Sequence, residues 1–372
     1  RAVMDTFSGI PLQILWRGDS LLPLHPNGMR FTAFDPSGNI ISRKEYYSIG
    51  GGLLMDENGT EIDRQEGVYP HETISGMMEF CRRNGIELWG YILKHEGVGT
   101  WSFLEEIWEA MEGSVRRGLS PAEKILPGSL ALKRRSPEMM ASANERVGVF
   151  RDQNLIAAYA LAVAEENAAG GLVVTAPTCG SCGVLPSILH YFSAHYRFPR
   201  ERIIEALGVA GLFGLSAAVR GSISGAEVGC QGEIGVACAM TAAAAMQIQG
   251  GTVEQVEYAA EMGMEHFLGL TCDPVAGLVQ VPCIERNAFA AMRALECASF
   301  AMATDGRHMV GFDEVIAVMK ETGKDLQVKY RETATGGLAE IIRRRMRIGG
   351  RPGAGAFTRP GDSSGPAAGP GM

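Results

Sequence analysis

Hydrophobic and polar positions change period once along this chain. Up to about residue 50 the alternation is two-fold. Leu12–Gly18 (LQILWRG) carries apolar residues at alternate positions, and LLPLHPNGMRFTAFDPSGNIISRKEYYSIGGG follows it. Pro26-Asn27-Gly28 and Pro36-Ser37-Gly38-Asn39 interrupt this stretch as turns between short strands. From about Thr73 the spacing becomes three and four, as in ISGMMEFCRRNGIELWGYILKHEG and SFLEEIWEAMEGSVRRGLS. That is the period of amphipathic helices. NLIAAYALAVAEENAAGG reads as a long helix stopped by a glycine pair. LVVTAP is one short extended piece, and GVLPSILHYFSAHY a helix opened by a glycine-rich loop. Ala206–Val219 and Ile234–Met246 are apolar nearly all round and belong at the centre of a bundle. FDEVIAVMKETGKDLQVKYRET reads as the last helix. The pattern predicts a mainly α protein: an all-α helical domain over 67–345, preceded by the C-terminal part of a small α/β domain over 1–66. Residues 346–372, almost wholly Gly, Pro, Ala and Ser after the first few, are expected to be disordered.

Composition narrows the class. With 372 residues, 46% hydrophobic and 20% charged, the chain can bury a large core. Its net charge of −8 and the absence of a basic block argue against nucleic acid as a partner. The two most apolar runs fall short of the ~20 residues of a membrane span, so no membrane association is expected. Nothing at the N-terminus has the form of a signal peptide. Eight cysteines without one point to a reducing, cytoplasmic setting, where thiols serve metals or catalysis rather than disulfides.

Three cysteines lie at element boundaries beside Gly, Pro or Asp. Cys230 sits in GAEVGCQGE with Glu227 and Glu233 three positions to either side, and Cys272 and Cys283 follow in LTCDPVAGLVQVPCIERN. Asp273 and Pro274 are placed to start a helix, whose dipole would favour a Cys272 thiolate. The gaps match no short metal motif, so small buried hydrophobes remain the alternative reading for these thiols. Cys81, Cys238 and Cys297 are read as such hydrophobes. TAPTCGSCGVLP is a second candidate: Thr178, Ser181 and the Gly180 and Gly183 backbone would converge at a helix start as an anion site. Its Cys179-x-x-Cys182 pair could also be a redox dithiol or half of a zinc site. His25 and Asn27 occupy a polar turn tip, and Lys133, Arg134 and Arg135 could hold a carboxylate or simply solvate a helix end.

Together these pieces resemble the bacterial iron–sulfur L-serine dehydratases. The resemblance rests on LHPNGMRF, YYSIGGG, LPGSLALKRRSP, AYALAVAEENAAGGLVVTAPTCGSCGVLP, SGAEVGCQGEIGVACAM, LGLTCDPVAGLVQVPCIERNA and KYRETATGGLA, over about residues 10–340. It implies a [4Fe–4S] cluster held by Cys230, Cys272 and Cys283, with one iron left to act as a Lewis acid on L-serine. On that basis the helical domain is catalytic. Thr178, Ser181, Gly180 and Gly183 would hold the substrate, His25 and Asn27 would reach it from the β domain, and Lys133 would lend a nearby charge. The expected product is pyruvate with ammonia. A cysteine desulfidase and a cluster-binding α-type subunit are the alternatives, and a homodimer is the expected assembly.

Two features depart from that family. Fused members carry a Ser-Ser-His-Thr motif and a Gly-His-Gly segment thought to supply catalytic histidines, and neither is present here. The base is therefore expected upstream of Arg1 or on a separate chain. Many members also end in a cysteine that can occupy the open iron, whereas the residues after Gly337 contain none.

Overall fold

In a computed structural model of the chain, the described residues are 9–15, 17, 20, 22–25, 27–50, 53–62 and 67–348. Four strands come first: β1 (Gly28–Phe34), β2 (Ile40–Gly50), β3 (Leu53–Asp56) and β4 (Glu61–Ile62). They form one antiparallel meander in the order β1-β2-β3-β4, with Gly28 opposite Tyr47 and Tyr47 opposite Met55. Asp35 and Asp56 cap the two tight turns, each accepting from backbone N–H groups of the residues that follow. The two-fold period thus identified β1 and β2. Leu12–Leu15, which share that period, form no strand, because no neighbouring strand pairs with them among the described residues.

Thirteen α-helices follow among the described residues. Those that build the site are α3 (Gly99–Leu119), α5 (Val149–Ala168), α6 (Val184–Tyr191), α7 (Arg200–Arg220), α9 (Ile234–Ile248), α10 (Val253–Glu265), α11 (Cys283–Met302), α12 (Phe312–Asp325) and α13 (Gly337–Ile348). The short α8 (Gly225–Val228) precedes α9. Every residue of α9 is buried. It packs against α6, α7, α10 and α11, and so forms the axis of the bundle. That is the place its all-round apolar surface requires.

The Ala206–Val219 run extends toward its N-terminus into a 21-residue helix, long and apolar enough to cross a membrane. Yet 67% of its apolar window is buried against neighbouring helices, as in the core helix of a bundle. The LVVTAP piece pairs with no strand. The helix expected to be last, over 312–333, ends at Asp325; a short turn at Val328–Tyr330 lies within the expected span, and α13 follows it. The tail expected to be disordered from 346 is helical to Ile348, and 349–372 lie outside the described residues.

Small residues set how closely the helices approach. A Cβ on Gly118 would overlap the carbonyl of Ala162 on the facing α5, and one on Gly263 would sit 3.1 Å from the Ala239 backbone. Gly118→Ala should therefore lower stability by roughly 1–3 kcal/mol, the range for overpacking a close contact, read as a drop in the thermal midpoint. An unchanged midpoint would mean that α3 and α5 do not pack this closely.

Glu261 of α10 is buried, and burial, reinforced by Glu265 and then Glu257, pushes its carboxyl up to about 8. The folded state keeps a proton that the unfolded chain releases near pH ~4.3. Stability from this group therefore falls as pH rises between those two values, by at most about 1.4 kcal/mol per unit. Glu261→Gln should flatten that slope, matching wild type in acid and exceeding it near pH 8. Parallel wild-type and variant denaturation curves across this range would contradict it.

Candidate metal centre

Three of the turns that break the helical pattern bring thiols together. Cys230 lies in a single 3-10 turn, Gly229–Gln231, between α8 and α9. Cys272 lies in the loop after α10, and Cys283 is the first residue of α11. All three are buried and unpaired by disulfides. The thiols of Cys230 and Cys272 and a carboxylate oxygen of Glu233 lie within 4.8 Å of one another. Glu233 Oε2 is 3.7 Å from Cys272 Sγ and 4.0 Å from Cys230 Sγ. Cys283 stands outside that tight group but close enough that the charges of Cys230 and Glu233 add to the effect of burial in raising its thiol.

The expected start of a helix at Cys272 is not what forms. The chain makes only a three-residue turn, Val275–Gly277, because Ala276 (φ 57°) and Gly277 (φ 68°) swing into the left-handed region. The Asp273 carboxylate instead accepts from Leu338 N at the start of α13, and from Thr271 Oγ1. Cys283, not Cys272, occupies the helix N-terminus. Cys272 is held by its backbone: its N–H donates to Tyr330 O at 2.8 Å and its carbonyl accepts from Glu332 N at 2.6 Å.

Electrostatics separate the thiols. A hydrogen bond from Cys272, with help from the Arg286 guanidinium, lowers Cys230 to about 7 against the opposing effect of burial. Cys272, as the donor of that bond and buried itself, is pushed up. Burial, and then the Cys230 charge, raises the Glu233 carboxyl to about 7. Cys230 is thus the first of the three to present a thiolate.

The glycine-rich loop meets this group from the other side. Thr178 Oγ1 donates to Glu233 Oε1 at 2.8 Å. A Cβ on Gly180 would come 3.0 Å from the same oxygen. The other members of the expected anion site are already engaged. Ser181 is fully buried and its hydroxyl caps the turn, accepting from Thr178 N. Gly183 N donates to Asn287 Oδ1 at 2.8 Å, and Asn287 Nδ2 returns a bond to Gly180 O at 2.8 Å. Asn287 on α11 therefore fixes the loop beside the thiol that opens the same helix. Cys182 is buried in the core while Cys179 is exposed.

His25 and Asn27 bond each other, Asn27 N donating to His25 Nδ1 at 3.2 Å on the strand side of the chain. Lys133 reaches into an exposed ion pair with Glu138, and Arg135 into one with Glu285. Arg134 is buried against Glu166. The structure thus brings Thr178 and Gly180 to the thiols, and leaves Ser181 and Gly183 as scaffold behind them.

The residues present fit an iron–sulfur cluster. Three buried thiols with no disulfide partner form a soft donor set of the kind that iron–sulfur clusters use. Space beside them is kept free: a Cβ on Gly225 would lie 2.9 Å from Glu233 Oε2 and 3.3 Å from Cys272 Sγ. Glu233 and Asn287 are the residues that sequence reasoning missed as parts of this site. The one signal for Glu233 was its place three residues after Cys230, on the next helical turn.

Comparison with known proteins identifies the family. Residues 77–339 match the family profile described as "Serine dehydratase alpha chain", and residues 10–59 match "Serine dehydratase beta chain". An L-serine dehydratase of Streptomyces coelicolor is 46% identical over 339 residues, covering 86% of this chain and 73% of that protein. L-serine dehydratase 2 of Escherichia coli K12 is 44% identical over 344 residues, covering 86% and 73%. An L-serine dehydratase of Helicobacter pylori is 38% identical over 339 residues, covering 87% and 74%. With its alpha and beta segments consecutive in one polypeptide, the chain belongs to the serine dehydratase family.

Proposed function

We propose that the protein is an L-serine dehydratase, which eliminates water from L-serine to give pyruvate and ammonia, with 67–345 as its catalytic domain. The observation that carries this reading is the convergence of Cys230, Cys272 and Glu233, with Cys283 beside them, in a chain whose relatives are named for that reaction. Cys230, Cys272 and Cys283 would hold a [4Fe–4S] cluster. When bound, such a cluster supplies Lewis acidity at an open iron toward the serine hydroxyl, which is otherwise a poor leaving group.

The chain's own residues position the substrate. Thr178 commits its proton to Glu233, which leaves the lone pairs of Oγ1 able to accept from a substrate N–H or O–H. Glycine at 180 keeps the loop close to the carboxylate. Arg286, anchored by its bond to Thr271 O at 2.7 Å, places a positive charge beside the Cys230 thiolate. Once water has left, the aminoacrylate needs no protein group: it tautomerises and hydrolyses spontaneously. The free state of the cysteines supports work in a reducing compartment, the cytoplasm.

Anaerobic reconstitution with iron and sulfide should give a broad visible sulfur-to-iron absorption together with pyruvate formation from L-serine. Cys230→Ala, Cys272→Ala and Cys283→Ala should each abolish both. Absorption that survives in all three variants would remove the ligand assignment.

Thr178→Val should lower kcat/KM by roughly ten- to a hundredfold, the cost of one hydrogen bond to a charged group, and leave the absorption intact. Ser181→Ala should act differently, costing about 1 kcal/mol of stability as a lost cap with KM retained. If Ser181→Ala raised KM and Thr178→Val did not, their assigned roles would have to be exchanged.

A further inference from the structure

Glu332 is the feature of this site that the chemistry above leaves unused. It follows the turn at Val328–Tyr330, in a segment that folds back on the thiols. Its N–H donates to the carbonyl of Cys272, and a parallel bridge joins Cys272 to the neighbouring Arg331. The segment is strained. Glu332 (φ 60°) and Ala334 (φ 54°) are both left-handed without being glycine. Such conformations persist where the surroundings impose them, commonly at functional sites. The loop is also tightly closed: Thr333 Oγ1 donates to Lys329 O at 3.1 Å, and a Cβ on Gly336 would sit 2.6 Å from that oxygen. Backbone strain and a bond to the backbone of a candidate ligand together fix one side chain, that of Glu332.

The surroundings of that side chain are unbalanced. Glu332 is exposed to solvent, its charge acts on the Cys272 thiol, and the charge of Glu233 acts on it. No hydrogen bond or ion pair reaches its carboxylate among the described residues. The nearby cations are turned elsewhere. Arg331 donates to Glu227 O at 3.1 Å, and Arg286 donates to Thr271 O and faces Cys230. Two carboxylates and the Cys272 thiol are therefore neighbours, and among the described residues no cation pairs with Glu332. A ligand carrying its own cation would complete the site. Of the groups on an α-amino acid, the ammonium alone has that charge.

We propose that Glu332 binds the α-ammonium group of the amino-acid substrate, and so selects α-amino acids over hydroxy acids of the same shape. The proposal rests on the reading of the chain as an amino-acid dehydratase and adds the group that recognises the amine. Charge-assisted hydrogen bonds of this kind are short and strong. This one would also orient the substrate, since an ammonium held at Glu332 fixes the position of the α carbon relative to Thr178 and the thiols.

The test uses the reconstituted full chain and two ligands, L-serine and 3-hydroxypropanoate, which has the hydroxyl and carboxylate of serine but no amine. Equilibrium binding is measured by calorimetry for wild type, Glu332→Gln and Glu332→Asp, with the visible absorption recorded for each. Glu332→Gln should weaken L-serine binding roughly ten- to a hundredfold and leave both 3-hydroxypropanoate binding and the absorption unchanged. Glu332→Asp, which keeps the charge and tolerates the left-handed backbone, should recover part of the loss. Equal weakening of both ligands, undiminished L-serine binding in Glu332→Gln, or no L-serine binding by wild type would overturn the proposal. Pyruvate formation is scored separately: a wild type that binds L-serine through Glu332 and forms no pyruvate would refute the dehydratase reading and leave the ammonium assignment standing.

Discussion

Ionisable groups gathered in a helical interior are costly, because burial removes the water that stabilises their charges. Here the buried thiols of Cys230 and Cys272 share one place with Glu233, and the buried Cys283 thiol stands beside them. The surrounding structure bears that cost in identifiable ways. Cys272 and the Arg286 guanidinium both favour the ionised form of Cys230. Thr178 donates to Glu233. Asn287 makes bonds to Gly183 N, Gly180 O and Cys283 O, tying the loop that presents Thr178 to the helix that begins with a thiol. Most of these contacts join segments far apart in the chain, such as Thr178 to Glu233 and Asn287 to Gly183 and Gly180, so the site exists only once the bundle is assembled.

The close helix packing is the complement of this arrangement. The alanines of α9 and glycines such as Gly118 and Gly263 let neighbouring helices approach until backbones nearly touch. That density fixes the helix ends, and the ends carry the chemistry: Cys230 just before α9, and Cys283 at the first position of α11. Gly225 and Gly180 have a different purpose, since side chains there would fill the space beside Glu233 and Cys272.

Much of this was legible in the sequence, for physical reasons. The switch from two-fold to three-and-four spacing separates the meander from the bundle, and α9 declares its central place by having no polar face. The cysteines stood out through the long motifs around them, although their spacing alone left them ambiguous. What was hidden is what depends on tertiary contact. Leu12–Leu15 carry a strand pattern, but a strand also needs a partner. Asp273 has the sequence of a helix cap, yet it caps α13, which is distant in the chain. Ser181 reads as a ligand contact and is spent inside its own turn. Glu332 gives no local signal at all, because its place beside Cys272 comes from a backbone bond between segments the sequence keeps apart.

An iron–sulfur cluster on these thiols, rather than a single ion, is the proposal on which the rest depends. Metal and acid-labile sulfide analysis of the anaerobically purified chain addresses it directly. A cluster on the three thiols requires iron and labile sulfide in equal amounts, both lost when the protein is exposed to air. A stoichiometric zinc content, or iron without labile sulfide, would contradict it.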